Sequence, residues 1–114
     1  MNVLERDAIR NAERVGRHIM DRLRTWPARH RMLGDVRGLG LMIGVEIVKD
    51  QRTKETAHDE RDAIVQLAFE RGILFLGAGE NTIRICPPLV VTPEQADIAL
   101  DVLEECITSI EKVS

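Results

Sequence analysis

The sequence of 114 residues has no apolar run near the roughly 20 residues that a membrane-spanning helix needs. Residues 1–7 lack the basic and then apolar order of a secretion signal, so we expect a cytoplasmic protein. There is no basic stripe either, because 19 acidic and 16 basic residues are scattered along the chain and give a formal net charge of −3. We therefore expect neither a membrane nor a nucleic acid as a partner.

Cysteine is scarce, and its two copies, Cys86 and Cys106, have no C-x-x-C spacing. One falls in a predicted strand and the other on the apolar face of a predicted helix, so both are expected to be buried small hydrophobic residues. His18, His30 and His58 form no spaced set, and each is predicted to lie at the surface or at its boundary. These patterns predict no metal site.

The usual catalytic motifs are missing as well. The chain has no G-x-S-x-G elbow, no P-loop and no H-E-x-x-H pair. Residues 36–41 contain G-x-G without the third glycine that would open a helix, so dinucleotide binding is a weak interpretation. No catalytic residue is predicted from motifs alone.

The composition and the apolar periodicity of the chain nevertheless predict a folded domain. With 44% hydrophobic and 31% charged residues, it is typical of a globular protein, and its length predicts one domain over residues 1–114. Apolar residues recur every three or four positions from Leu4 to Trp26, which predicts a helix that Pro27 ends. Because this helix begins at the first residues, we expect it to continue something upstream.

Residues 32–48 alternate with a period of two and contain glycines, which predicts a strand or a strand pair with a bend or bulge. Residues 49–55 should form an exposed loop. Thr56, with Asp59 three residues on, resembles a capping box that opens a second helix, and Gly72 is a natural end for it.

Two short strands, at residues 73–76 and 82–86, are predicted on either side of a turn. Residues 92–95 (TPEQ) combine an N-cap, a proline and a glutamine, which predicts the start of a last helix. The whole order predicts an α+β fold, a small and mostly antiparallel sheet with helices packed on one face. By order alone the chain could be an enzyme fragment, a ligand-sensing module or a dimerisation unit.

Arg84 is a charged residue in the middle of a short apolar strand. Its guanidinium must either point to solvent from the polar face of the strand or serve as a two-pronged partner for a carboxylate. Exposed strand faces often carry arginine, so the pattern by itself favours the first interpretation and leaves the second open.

Three segments, in this order and spacing, resemble landmarks of the class III pyridoxal-phosphate-dependent aminotransferases. They are residues 36–46 (VRGLGLMIGVE), 71–74 (RGIL) and 81–95 (NTIRICPPLVVTPEQ). The likeness is greatest to 4-aminobutyrate and ornithine aminotransferases. The opening helix also resembles the one that begins the small domain of these fold-type I enzymes, so the resemblance covers nearly the whole chain and identifies it with their C-terminal small domain.

The resemblance implies a role for Arg84, since the arginine before the Pro-Pro-Leu segment holds a substrate carboxylate in this family. It also implies a homodimeric parent enzyme that moves an amino group from an amino acid or an ω-amino acid, such as 4-aminobutyrate, to a 2-oxo acid. Gly38 and Gly40 then belong to the first strand of the small-domain sheet, as backbone geometry with a bulge.

The chain departs from the family in what it lacks. The family's Schiff-base lysine, pyridinium-binding aspartate and phosphate cradle belong to a large domain. Lys49, Lys54 and Lys112 are the only lysines, and none has the context of the cofactor lysine. We therefore expect the isolated chain to bind no pyridoxal phosphate and to be inactive, with the large domain of the same polypeptide as its partner. A free-standing sensing or dimerisation module is the alternative.

Overall fold

A computed structural model describes residues 3–39, 42–85 and 92–113. These described residues form three helices and five strands, with a short 3₁₀ turn at Trp26–Ala28 after the first helix. The helices are α1 (Val3–Leu23), α2 (His58–Glu70) and α3 (Pro93–Val113). The strands are β1 (Leu33–Leu39), β2 (Met42–Asp50), β3 (Glu55–Thr56), β4 (Leu76–Ala78) and β5 (Thr82–Ile85).

The main sheet has the strand order β1-β2-β5-β4, and every neighbouring pair in it is antiparallel. Strand β3 pairs with the end of β2, off this path. The sheet is thus two hairpins, β1–β2 and β4–β5, joined where β2 pairs with β5. This confirms the predicted α+β fold with a small antiparallel sheet.

One face of the sheet, which we call the inner face, forms the core with the helices. Because side chains alternate along a strand, Ile43, Val45 and Ile47 of β2 all point to this face and are buried. Ile83 and Ile85 do the same on β5. The helices cover them with residues that include Val15, Ile19 and Leu23 of α1, Ile64 and Ala68 of α2, and Leu100, Leu103, Cys106 and Ile107 of α3.

The end of α2 explains why the next strand begins later than predicted. The amide of Gly72 donates to the Phe69 carbonyl over 2.9 Å, and the amide of Ile73 donates to the Ala68 carbonyl over 3.0 Å. With Gly72 at a φ of 90°, this is the left-handed glycine cap that the sequence predicts. Because Ile73 belongs to the cap, the strand predicted at residues 73–76 lies at Leu76–Ala78 instead.

The two predicted helix starts had opposite outcomes. The capping box at Thr56 is wrong, because Thr56 is engaged in β3, where it pairs with Val48, and α2 starts after Ala57 without a side-chain cap. The start of α3 is confirmed, because the Gln95 amide donates to the Thr92 hydroxyl and the Thr92 amide donates to the Gln95 side chain, both over 3.2 Å. The reciprocal pair is a capping box.

Other sequence expectations were met only in part. Strand β2 continues through Lys49 to Asp50, so the predicted loop is shorter than expected. A bulge does interrupt β1, but it lies between Leu33 and Asp35 rather than at Gly38, which pairs regularly with Ile43, while Gly40 is outside the described residues. No helix in the described segments is long and apolar enough to span a membrane.

His30 is buried, with 7% of its surface exposed, although the sequence predicts a surface or boundary residue. Its Nδ1 lies 2.9 Å from Glu111 Oε1 and its Nε2 lies 2.8 Å from Glu104 Oε2, both on α3. The ring also meets the indole of Trp26 edge to face, with centroids 5.8 Å apart. His30 therefore joins the turn after α1 to α3.

Candidate functional site

The face of the sheet opposite the helices, here called the outer face, holds the candidate site. Arg84 lies in the middle of β5, where it pairs with Gly44 of β2 on one side and Leu76 of β4 on the other. Gly44 pairs in turn with Arg37 of β1. These four residues form one row across the sheet, and the buried Ile83 that precedes Arg84 faces the opposite way.

Arg84 is exposed on this face. Within the described parts of the chain, no carboxylate lies within ion-pair distance of its guanidinium, and its side chain has no hydrogen-bond acceptor there. The guanidinium of Arg84 therefore lies on an open face of the sheet, and none of the described residues accepts a hydrogen bond from it. This arrangement is compatible with both interpretations that the sequence left open.

A second arginine on the outer face, Arg37, is bound to neighbours. Its Nε donates to Asp35 Oδ2 over 2.9 Å, and its Nη2 lies 3.6 Å from Glu46 Oε2. The hydrogen bond from Arg37 holds the pKa of Asp35 below its ordinary value, and the amide of Val36 acts in the same direction. No sequence motif marks Arg37, although its alternation with Asp35 is a signal that places both on one face of the strand.

A shallow cavity of about 120 Å³ opens beside Arg37, lined by Asp35, Arg37, Gly44, Glu46 and Thr82. Gly44 leaves space in this cavity because it has no side chain, and a Cβ atom at this position would lie only 3.3 Å from Thr82 Cγ2. Arg37 and Arg84 stand on strands to either side of Gly44. Two strand spacings, or about 10 Å, separate their backbones.

The three lysines of the chain do not line the cavity beside Gly44. Lys49 lies near the end of β2 and lines a different cavity, with Arg31 and Glu60. The Nζ atom of Lys54 donates to the Gly34 carbonyl. Lys112 is in the last turn of α3. None of the three lines the cavity beside Gly44.

Two helix starts on this chain also suit phosphate poorly. The first turn of α2 carries Asp59 and Glu60, whose charge repels an anion. The first turn of α3 has Glu94, and the Gln95 amide in that turn already donates to the Thr92 hydroxyl. The two helix starts and the three lysines in the described residues therefore do not fit pyridoxal phosphate as its main holder.

The described residues form no candidate metal site, because they contain no group of three histidine, cysteine, aspartate or glutamate side chains placed to hold an ion. Cys106 is fully buried, as predicted, and burial raises the pKa of its thiol. Cys86 lies outside the described residues, as do Pro87, Pro88 and Leu89.

Several solved structures that share this fold are transaminases. One, a transaminase with L-ala, aligns with 97% of this chain at a TM-score of 0.86 and 31% identity. A second, a PLP-bound aminotransferase mutant from Vibrio fluvialis, aligns with 95% at a TM-score of 0.83 and 25% identity. The chain covers 26% and 24% of these two structures.

The class III aminotransferase family model matches residues 1–107, and the chain belongs to that family. Curated relatives differ in activity. A leucine/methionine racemase of Thermococcus litoralis is 43% identical over 95% of this chain. The mitochondrial alanine–glyoxylate aminotransferase 2 homolog 2 of Arabidopsis thaliana is 36% identical over 91%. The chain spans only 24% and 22% of the length of these relatives.

Proposed function

We propose that this chain is the C-terminal small domain, residues 1–114, of a class III enzyme and that Arg84 holds the carboxylate of its substrate. The enzyme transfers an amino group from an amino acid or an ω-amino acid, such as 4-aminobutyrate, to a 2-oxo acid. The observation that carries the proposal is the open guanidinium of Arg84 on the outer face.

Neighbouring charges support this role. Glu46 pairs with Thr82, two residues before Arg84, in the neighbouring row of the outer face. Its carboxylate could therefore have bound the guanidinium of Arg84. Arg37 lies near Glu46 instead, and its Nε is engaged with Asp35. With respect to the residues that the structure describes, Arg84 therefore keeps its charge available for a ligand. A planar guanidinium can bind both oxygens of a carboxylate at once, which fixes the orientation of the substrate.

Pyridoxal phosphate, the cofactor of the family, would be held by the rest of the polypeptide, since none of the three lysines has the context of the cofactor lysine and the described helix starts suit phosphate poorly. The isolated chain is then inactive, and the large domain is its partner. We further propose that the parent enzyme is a cytoplasmic homodimer.

The experiment is an Arg84→Lys change in the full-length enzyme. Lysine keeps the charge but loses the fork, and a charged hydrogen bond is worth about 1.5–3 kcal/mol, so kcat/KM for a carboxylate substrate should fall roughly 10- to 100-fold. An amine substrate without a carboxylate should be affected much less, and the thermal midpoint should hardly change. The control is Arg52→Lys in the exposed turn after β2, which should alter neither.

Equal losses on both substrates, or simple unfolding of the Arg84→Lys enzyme, would show that Arg84 is a structural residue. The alternative of a free-standing sensing module would gain support if the gene encoded no lysine-bearing domain upstream of these residues.

A second activity is favoured by one observation, the 43% identity to an amino-acid racemase. A racemase must also hold the carboxylate of its amino acid, so the role of Arg84 is the same in both cases. The two activities separate when the full-length enzyme is incubated with one L-amino acid. Appearance of the D-enantiomer without a 2-oxo acid identifies a racemase, and formation of a new amino acid only when a 2-oxo acid is added identifies an aminotransferase.

A further inference from the structure

Arg61, near the start of α2, is an arginine buried inside the domain, with only 6% of its side chain exposed. Its Nη1 donates to the carbonyl of Thr82 over 2.7 Å and to that of Ala78 over 3.2 Å. Its Nε donates to Asp62 Oδ1 over 2.8 Å. A buried guanidinium requires such acceptors, because an unpaired charge in the interior is costly.

The two carbonyls belong to one cross-strand pair. Ala78 of β4 and Thr82 of β5 face each other in the register of the hairpin. These strands have only three and four residues, and a hairpin that short has little stability of its own. A single nitrogen of Arg61 thus ties both strands of the hairpin to helix α2.

Gly77 is fitted to this guanidinium. A Cβ atom at Gly77 would lie 2.8 Å from Arg61 Nη1 and 2.9 Å from its Cζ, closer than such atoms pack. Gly77 pairs with Ile83, the buried residue directly before Arg84. The missing side chain leaves room for the guanidinium beneath β4.

We propose that Arg61 is a positioning residue that fixes the β4–β5 hairpin so that Arg84 meets the substrate carboxylate, an inference that rests on the proposed function of Arg84. Thr82 is two residues before Arg84, so both side chains lie on the outer face while Arg61 binds the Thr82 backbone from the inner side. The hydrogen bond from Arg61 to this carbonyl fixes the position and tilt of β5 relative to α2 at Arg84. A misplacement near 1 Å at a binding group can cost about 100-fold in rate.

The test compares Arg61→Met with Arg84→Lys in the full-length enzyme loaded with its cofactor. Methionine keeps much of the length of arginine and loses the donors. We expect Arg61→Met to raise KM and lower kcat/KM for a carboxylate substrate roughly 10- to 100-fold, with a much smaller effect on an amine that has no carboxylate. Arg61→Lys, which can still donate to both carbonyls, should restore part of the loss.

The control for arginine is Arg71→Met, just after the same helix, where the side chain is exposed and pairs with Glu105 over 2.7 Å. It should leave both substrates unaffected. Gly77→Ala is a second perturbation that keeps Arg61 but pushes its guanidinium aside, so it should give a smaller loss with the same preference for the carboxylate substrate. Gly16→Ala is its control, since a Cβ there meets no atom within 4 Å.

The outcomes separate the two proposals. A selective effect of Arg84→Lys, together with equal losses on both substrates for Arg61→Met, overturns the positioning role alone. An Arg84→Lys enzyme without substrate selectivity overturns the role of Arg84 and the positioning role with it. If Arg61→Met does not fold, Gly77→Ala decides, and a Gly77→Ala enzyme that handles both substrates as the wild type does overturns the inference.

Discussion

Replacing His30 by alanine should destabilise the 114-residue chain by about 2–4 kcal/mol. The change removes the contacts of both ring nitrogens with the carboxylates of Glu104 and Glu111, where a hydrogen bond to a charged group is worth about 1.5–3 kcal/mol when fully shielded from water. It also removes the edge contact with Trp26, worth about 0.5–1.5 kcal/mol.

The loss of stability is smaller than the sum of these contributions, for two reasons. The carboxylate side chains of Glu104 and Glu111 are 21% and 13% exposed, so water can reach them after the change. Both also keep other partners, because Arg29 lies 3.0 Å from Glu104 and the Met32 amide donates to Glu111 over 3.0 Å. The net loss is therefore nearer the value of one such bond and the ring contact.

The measurement is urea unfolding followed by circular dichroism. With a slope of about 2 kcal/mol per molar urea, the midpoint should fall by about 1–2 M. His58→Ala is the control, because that side chain is 57% exposed and its loss should cost under about 0.5 kcal/mol. A double-mutant cycle with Glu111→Gln should give a coupling of at least about 0.5 kcal/mol. If His30→Ala matches His58→Ala, or if the cycle shows no coupling, the reasoning is refuted.

Two further predictions concern pH and the cofactor. The hydrogen bond from His18, at 2.8 Å, holds the pKa of Asp97 below its usual value, so this pair contributes stability above about pH 4 that is lost as the pH falls through the lowered pKa. Asp97→Asn should flatten the decline of urea midpoints in acid, and an unchanged decline would count against the pair. Because no lysine lines the candidate site, mixing the isolated chain with pyridoxal phosphate should give no stoichiometric visible band after desalting. A band that survives desalting and vanishes when an amino acid is added would contradict this.

The parts of the fold that could be predicted from sequence are those in which the signal is local. Alternation correctly predicted that Arg84 faces away from Ile83 and Ile85 on one strand. Residues 92–95 correctly predicted a helix start. Thr56 carried an equally local signal that failed, because pairing with Val48 engaged the residue before the helix began. A backbone partner distant in sequence overrode a capping pattern.

The side-chain contacts that sequence reasoning missed are non-local ones. The acceptors of Arg61 are backbone carbonyls 17 and 21 residues away, and any residue type can supply a carbonyl. The carboxylates that bind His30 are 81 and 74 residues away, on a helix with several acidic side chains to choose from. Neither pairing leaves a spacing or composition that marks it before the chain is folded.

The orientation of Arg84 depends on the apolar residues beside it. Ile83 is fully buried and Ile85 is 8% exposed, so the core fixes which way this short strand faces. Because side chains alternate with a period of two, a slip of one residue against β2 would turn Arg84 into the core and both isoleucines to solvent. The cost of burying that charge, added to the exposure of two isoleucines, opposes such a slip strongly. Hydrophobic burial on the inner face therefore sets the register, and the bond from Arg61 to Thr82 refines the position of the guanidinium within it.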